Sequence, residues 1–220
     1  MGARAADRAG RGVAGADQPG GRSPGAPLRP RGSCGGSDGE FRPRVASPCS
    51  PRPYPTRLVA MHGVEPALFR QLLGRFATGV TVLTARDAAG QPIGMTASSV
   101  ASVSLHPPLL LVSVSREHDM HAALHAARHF VLNVLAADQE ALSRRFAADH
   151  PDRFLGVAYR ENKHGVPILD GVLASIECER QDEAAGGDHT VFFGLVIGGS
   201  VTDRSPLLYY RGGYASLRGG

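Results

Sequence analysis

The 220-residue chain contains no tryptophan, three cysteines and a single lysine, and it has no long apolar run. A membrane-spanning helix needs roughly 18 or more consecutive apolar residues, so the sequence predicts no membrane partner. Cys34, Cys49 and Cys178 form neither a CxxC pair nor an even set. They therefore indicate no oxidising compartment and no structural zinc site, and we expect a cytoplasmic protein.

Large apolar residues are scarce at the amino terminus. The first sixty residues hold 11 glycines and 9 prolines, a composition that favours disorder. We expect residues 1–61 to form a disordered Arg/Gly/Pro-rich extension, with Met61 as an alternative natural start. Residues 62–220 are long enough for one domain with a sizeable core.

The positive charge of the chain is concentrated in that extension. Its first sixty residues carry ten arginines against four acidic residues, a net charge of +6. The whole chain carries +4, which leaves −2 for residues 61–220. Because domains that bind nucleic acid usually present a basic face, the charge argues against a nucleic-acid partner.

Hydrophobic periodicity predicts a mainly β domain with a few short helices. Apolar residues at 69, 72, 73 and 76 follow helical spacing, and we expect Phe69, Leu72 and Phe76 to belong to the core. Asp138 is a plausible cap for the last helix. The predicted helices are 65–77, 117–128 and 138–147, and the predicted strands are 79–85, 91–104, 109–115, 129–135, 172–180, 189–202 and 207–217. A polar loop is expected at 149–163. This order favours an antiparallel barrel over alternating βαβ units.

The segment from Gly94 to Ser115 is the most informative part of the sequence. Small and hydroxylated residues come first, then the pair Pro107-Pro108, then an aliphatic run that predicts a buried strand. Small side chains let a flat ligand approach the backbone, and hydroxyls and free amides can hydrogen-bond its polar edge.

Several separated motifs together resemble one family. They are Gly94-x-Thr96-x-x-Ser99, the run 102–109 (SVSLHPPL), the run 130–135 (FVLNVL), Gly187-Asp188-His189-Thr190, and the run 206–214 (PLLYYRGGY). In this order they are similar to the flavin reductase-like family of FMN-binding split barrels, over about residues 65–217. The resemblance implies an antiparallel, Greek-key type split β-barrel.

The resemblance also implies an activity and partners. Members of this family are NAD(P)H:flavin oxidoreductases, EC 1.5.1-type enzymes that bind FMN or FAD, use NADH or NADPH as co-substrate, and supply a flavin-dependent monooxygenase component. It further implies a homodimer with two flavin sites at or near the subunit interface. No second arginine cluster for the 2′-phosphate of NADPH is apparent in the sequence, which favours NADH.

The family's flavin-contacting positions can be transferred residue by residue. Hydroxylated and small residues would line the flavin ring and ribityl chain, an arginine with hydroxyls would hold its phosphate, and two aromatic residues would lie near or cover the flavin. The cofactor-binding candidates are Thr96, Ala97, Ser98, Ser99, Ser113, Ser115, Arg116, Phe154 and Tyr214. Glu117 and His118 stand where many members carry hydroxyl or basic residues.

His189 is the catalytic candidate implied by the resemblance, which places it close to nicotinamide and flavin. It would orient one of the two rings rather than act as an obligate proton donor. Four other histidines, at 118, 121, 125 and 129, have helical spacing. Without an acidic or cysteine partner they are expected to form a solvated face, and no metal site is predicted.

Two alternatives remain open from the sequence. One is a split-barrel flavoenzyme with tightly bound FMN that acts on another substrate, and the other is a non-catalytic flavin-binding module. Hydride transfer needs rings held in contact rather than a triad of side chains, so the absence of a catalytic triad does not separate these readings.

Overall fold

The computed structural model describes residues 63–150 and 152–217. The predicted disorder of residues 1–61, and the predicted start of the domain at residue 62, lie outside the described residues. None of the described helices has the length and hydropathy needed to span a bilayer.

Three short helices and twelve strands make up the described residues. The helices are α1 (Pro66–Leu73), α2 (Asp119–Ala126) and α3 (Glu140–Ala147). The strands are β1 (Thr78–Gly79), β2 (Thr81–Arg86), β3 (Pro92–Ala97), β4 (Val100–Leu105), β5 (Pro108–Ser115), β6 (His129–Val134), β7 (Tyr159–Glu161), β8 (Pro167–Leu169), β9 (Ala174–Gly186), β10 (His189–Val201), β11 (Leu208–Tyr210) and β12 (Gly213–Ala215).

A seven-stranded antiparallel sheet organises the fold. Its strand order is β3-β2-β6-β9-β10-β5-β4, which confirms the predicted mainly β, antiparallel class. The edge strands β3 and β4 follow each other in sequence, and no backbone ladder joins them in the described part of the chain. The sheet is therefore curved and open along this line, as in a split barrel. Smaller sheets are formed by β1-β11-β12 and by β7-β8.

The core lies between the inner face of the large sheet and helix α2. On β5 and β10, alternate residues are buried, as expected for strands with one face in the core. The fully buried side chains of this cluster include Leu83, Val112, Met120, Leu124, Phe130 and Phe192. A second cluster, around Val82, Leu135 and Phe146, packs under α3.

The structure corrects several predicted elements. The predicted strand 91–104 is two strands, because the chain leaves the sheet at Ser98 and Ser99. The loop predicted at 149–163 contains β7. Gln139 occupies the N-cap of α3 without a side-chain cap bond, and Asp138 pairs with Arg204 instead.

Helix α1 is the largest departure from prediction. It is amphipathic as expected, but none of its residues is buried. Phe69, Leu72 and Phe76 were predicted to belong to the core, and they are 55%, 54% and 71% exposed. The prediction was wrong because helical spacing shows that a helix has an apolar face, and not what covers that face.

Candidate functional site

The junction between β3 and β4 exposes two of the predicted site residues. Ser98 and Ser99 lie between the strands and are both exposed. The Ser99 hydroxyl donates to the Ser113 carbonyl oxygen at 2.8 Å, and the Ser113 amide donates to the Ser99 carbonyl oxygen at 3.1 Å. These two hydrogen bonds hold the junction between β3 and β4 against β5.

A groove of about 670 Å³ runs beside this junction. One wall is the apolar face of α1, and the other is the outer face of β4 and β5, with Leu111 and Ser113 on the latter. Phe69 and Leu73 of α1, with Phe76 just after it, form the first wall. Ser98, Ser99 and Tyr209 also line the groove. Mostly apolar walls with a few converging polar groups are typical of sites for flat organic ligands.

A small corner cavity, bounded by Thr96, Ser98, Tyr209 and Tyr214, adjoins the groove and shares Ser98 and Tyr209 with it. The Thr96 hydroxyl donates to the Ser143 carbonyl oxygen at 2.7 Å. The Tyr214 hydroxyl lies 2.8 Å from the Ser143 hydroxyl, and its ring meets Tyr209 edge-on at 5.5 Å between centroids. The guanidinium of Arg144 lies 4.8 Å from the Tyr214 ring centre. These contacts hold Thr96 and Tyr214 in place at the corner cavity.

The outer face of β5 links the groove to His189. Ser113 and Ser115 lie on this face, about 7 Å apart along the strand, and His189 on β10 is directly opposite Ser115. The Asp188 carboxylate lies 2.8 Å from His189 Nδ1. This hydrogen bond, followed by the electrostatic effect of the same histidine, lowers the pKa of Asp188. An anionic partner at Nδ1 leaves Nε2 of His189 free to meet a ligand.

Arg116 belongs to the same end of the ladder. Its amide donates to the Asp188 carbonyl oxygen at 3.1 Å, which ties the end of β5 to the turn before β10. Ser115, Arg116 and His189 are therefore brought together where β5 ends and β10 begins. None of the three lines the groove itself, whose lining on β5 ends at Ser113.

Two candidates, Ala97 and Phe154, belong neither to the groove and its corner cavity nor to the cluster of Ser115, Arg116 and His189. The Ala97 side chain is 5% exposed and packs in the main core, so only its backbone can reach a ligand. Phe154 packs edge-on against Phe146 and Tyr159, and it lines a different cavity. Gly94 is required by the same packing, since a Cβ there would lie 2.6 Å from Phe146 Cε1.

The histidine tract does not form one face. His118 caps α2 by accepting a hydrogen bond from the Met120 amide at 3.0 Å. His129, at the start of β6, stacks on His164 with 3.8 Å between the ring centres. Only His121 and His125 are neighbours, with their Nε2 atoms 3.3 Å apart. Within residues 63–150 and 152–217 no three His, Cys, Asp or Glu side chains are grouped so as to hold a metal ion.

Sequence reasoning missed one wall of the groove. Phe69, Leu73 and Phe76 line it, although Phe69 and Phe76 were predicted to be core. The available signal was the position of α1 before the first strand of the domain. That position does not by itself separate a core helix from one that covers a site.

Comparison with known proteins identifies the family of this fold. The model of the "Flavin reductase like domain" matches residues 73–218. The chain belongs to this family. It is 44% identical over 154 residues to a probable flavin reductase of Rhizobium meliloti, covering 70% of the chain and 50% of that relative. It therefore spans half the length of that relative.

Other members of the family match over most of their length. The reductase subunit HsaB of a flavin-dependent monooxygenase from Rhodococcus jostii is 41% identical over 160 residues, covering 72% of the chain and 82% of HsaB. The crystal structure of the Streptomyces globisporus NADH:FAD oxidoreductase SgcE6, in complex with NAD and FAD fragments, superposes with a TM-score of 0.67 at 37% identity. That match covers 71% of the chain and 96% of SgcE6.

Proposed function

We propose that the chain is an NAD(P)H:flavin oxidoreductase that transfers a hydride from NADH or NADPH to FMN or FAD. The observation that carries the proposal is the groove between α1 and β5, in a chain of the flavin reductase-like family. Its apolar walls suit the faces of an aromatic ring, and the Ser98, Ser99 and Ser113 groups at its rim suit the ring's polar edge. The dimensions are sufficient for a ring system, since the groove encloses about 670 Å³.

Each part of the site has a role in this proposal. Thr96, Ser98, Ser99 and Ser113 would border the flavin ring and ribityl chain, and Tyr214 would close the corner cavity. The flavin supplies the chemistry of hydride acceptance when bound. The protein contributes by holding the two rings in contact and by limiting access of water.

His189 is proposed to orient the nicotinamide or the flavin. It lies on the outer face of the sheet, opposite Ser115, and Asp188 holds its Nδ1. Because Asp188 engages Nδ1, Nε2 is the ring atom proposed to donate to or accept from a ring substituent. Ser115 and Arg116, beside it, are proposed contacts for a phosphate or a polar ring edge.

The proposed assembly is a homodimer. The apolar face of α1 is exposed within one copy, and it forms a wall of the groove. A second subunit that covers this face would bury it and would narrow the groove at the same time. The site would then lie at the subunit interface.

The reduced flavin would serve a flavin-dependent monooxygenase in the cytoplasm. Support for this partner comes from relatives that are named as reductase subunits of monooxygenases, such as HsaB and the reductase component of a 4-nitrophenol monooxygenase from Rhodococcus opacus. A free product flavin needs no fixed contact between the two proteins.

A steady-state assay that crosses NADH and NADPH with FMN, FAD and riboflavin tests the activity. The proposal expects saturable NADH oxidation that depends on added flavin, with NADH preferred. His189→Ala should lower the rate at least about tenfold, a loss typical of a removed orienting contact. Yellow protein that does not oxidise either nucleotide would support the flavin-binding module instead. Colourless protein without activity would refute the reductase, the flavoenzyme with tightly bound FMN and the flavin-binding module alike.

A further inference from the structure

Three arginines line one cavity next to the groove. The cavity has a volume of about 440 Å³ and is bounded by Arg70, Gln71, Gly74, Arg75, Arg211 and Gly212. Arg70 and Arg75 come from the end of α1 and the turn after it. Arg211 comes from the turn between β11 and β12, 136 residues after Arg75. The fold thus assembles a cationic cluster from two distant segments.

The backbone holds the two segments together. The Arg211 amide donates to the Gly74 carbonyl oxygen at 2.8 Å. Arg211 is also the one non-glycine residue with a positive φ, 54°, within the described ranges 63–150 and 152–217. Left-handed backbone is unfavourable for a residue with a long side chain, and such positions concentrate at functional sites. An asparagine or glycine would occupy this turn at lower cost, so the turn alone does not explain an arginine here.

The cluster has no acidic counterpart. Six other arginines, at positions 86, 128, 144, 153, 180 and 204, each form an ion pair with a carboxylate. In the part of the chain that the structure describes, Arg70, Arg75 and Arg211 form none, and no Asp or Glu lines the cavity. Residues 61–220 as a whole carry a net charge of −2. An uncompensated group of three guanidinium groups in a mildly acidic domain is a strong local attraction for an anion.

The cavity continues into the groove. Arg70, Gly74 and Gly212 line both, so a ligand whose ring lies beside Ser98 and Ser99 can extend a charged group to the arginines. Guanidinium groups match phosphate oxygens with paired hydrogen bonds. Arg116, the phosphate candidate from the sequence, lines neither the groove nor this cavity.

We infer that Arg70, Arg75 and Arg211 form a subsite for the phosphate groups of a nucleotide bound in the groove. The inference rests on the proposed function, which supplies two phosphate-bearing ligands, the flavin nucleotide and the pyridine nucleotide. Both offer the same chemistry to the arginines, a phosphate ester or diphosphate. The subsite adds a second cationic position to the one at Arg116.

The test uses the full chain and a double variant, Arg75→Gln with Arg211→Gln. Its matched control is Arg160→Gln with Lys163→Gln, which removes two exposed positive charges away from the cavity. Calorimetric titration with inorganic pyrophosphate is the first measurement. The inference expects binding to wild type and to the control, and at least about tenfold weaker binding to the double variant, because a charged hydrogen bond contributes enough for such a loss. Equal affinity in all three proteins overturns the inference.

Kinetics then separates the two nucleotide sources. Riboflavin has no phosphate, FMN has one, and NADH carries a diphosphate. A raised KM for FMN, with unchanged KM for riboflavin and NADH, supports a flavin phosphate at the subsite. A raised KM for NADH alone supports the pyridine nucleotide. Loss of pyrophosphate binding with every KM unchanged overturns the nucleotide assignment.

The two proposals fail in different ways. If wild type does not oxidise NADH with any flavin, the proposed activity is refuted. Pyrophosphate titration of the variants still supports or overturns the arginine subsite in that case, because it does not depend on turnover.

Discussion

Helices α1 and α2 have the same length of eight residues and opposite environments. Helix α2 buries Met120, Ala123 and Leu124 against the large sheet. Helix α1 buries none of its residues, although it is the more clearly amphipathic of the two. The apolar face of α1 is therefore not covered by the sheet of its own subunit. In our account that surface is the wall of a ligand groove and the contact with a second subunit.

The same substitution in the two helices should give the largest contrast. Leu124→Ala removes a fully buried side chain and should lower the free energy of unfolding by about 2–5 kcal/mol. Leu72→Ala changes a side chain that is half exposed in one copy, and should cost less than about 1 kcal/mol at the lowest protein concentration. Urea unfolding of both variants and wild type measures the difference.

Concentration dependence sharpens this contrast. If α1 contacts a second subunit, the effect of Leu72→Ala on the unfolding midpoint should depend on protein concentration, because folding is then linked to association. The effect of Leu124→Ala on subunit folding should persist at every concentration. Equal losses for the two variants, independent of concentration, would remove the distinction between the helices.

A charge on α1 should weaken subunit association. Leu72→Asp places a carboxylate on the proposed contact face and should raise the dimer dissociation constant at least about tenfold, since burial of an unpaired charge is unfavourable. Leu155→Asp is the matched control, because Leu155 is an exposed leucine in a loop. Sedimentation velocity over a range of concentrations measures both. Wild type that is monomeric at every concentration would refute the homodimer.

Titration distinguishes the helices by a smaller effect. Helix α1 contains no histidine, whereas α2 contains His121 and His125 and is capped by His118. Burial, and then the neighbouring His125, lower the pKa of His121 from its ordinary value of 6.5, while Glu183 opposes and Arg116 adds to the shift. Burial, and then Arg153, lower the pKa of His118.

The sign of the pH effect follows from these directions. A lowered pKa in the folded state means that the unfolded chain binds protons first, so stability should decline as the pH falls below about 6.5. His121→Gln should make this decline shallower. Urea unfolding at pH 7.5 and at pH 5.5 measures the slope. A wild type that becomes more stable on acidification would contradict the assignment.

Much of the fold could be predicted because short β-rich or aliphatic runs bounded by turn residues form the buried strands of a sheet. The segments 79–85, 109–115, 129–135 and 189–202 correspond to strands β2, β5, β6 and β10. The break at Ser98 and Ser99 could not be predicted, since both residues suit a strand. The chain passes there from the edge strand β3 to the opposite edge, where β4 pairs with β5. Asp138 is similar. It has the right chemistry for a cap, but Arg204 competes for its carboxylate.

The site could be predicted in part. The family motifs brought Ser98, Ser99 and Ser113 to notice, and the structure places them around one groove. The role of α1 and the arginine cluster could not be predicted from spacing. Arg75 and Arg211 are distant in the sequence and become neighbours only through the bond between Gly74 and Arg211. The preference for NADH was inferred because no such cluster was apparent in the sequence. The steady-state assay with NADH and NADPH is therefore the test of that preference.

A bulky side chain that blocks the groove should prevent flavin from binding there. Ser113→Phe places a large ring in the groove, on the outer face of β5, and Ser205→Phe makes the same change at an exposed position that does not line it. FMN fluorescence titration should show at least about tenfold weaker binding for Ser113→Phe than for wild type and Ser205→Phe, with similar melting temperatures for all three. Unchanged FMN affinity in a folded Ser113→Phe protein would contradict the account.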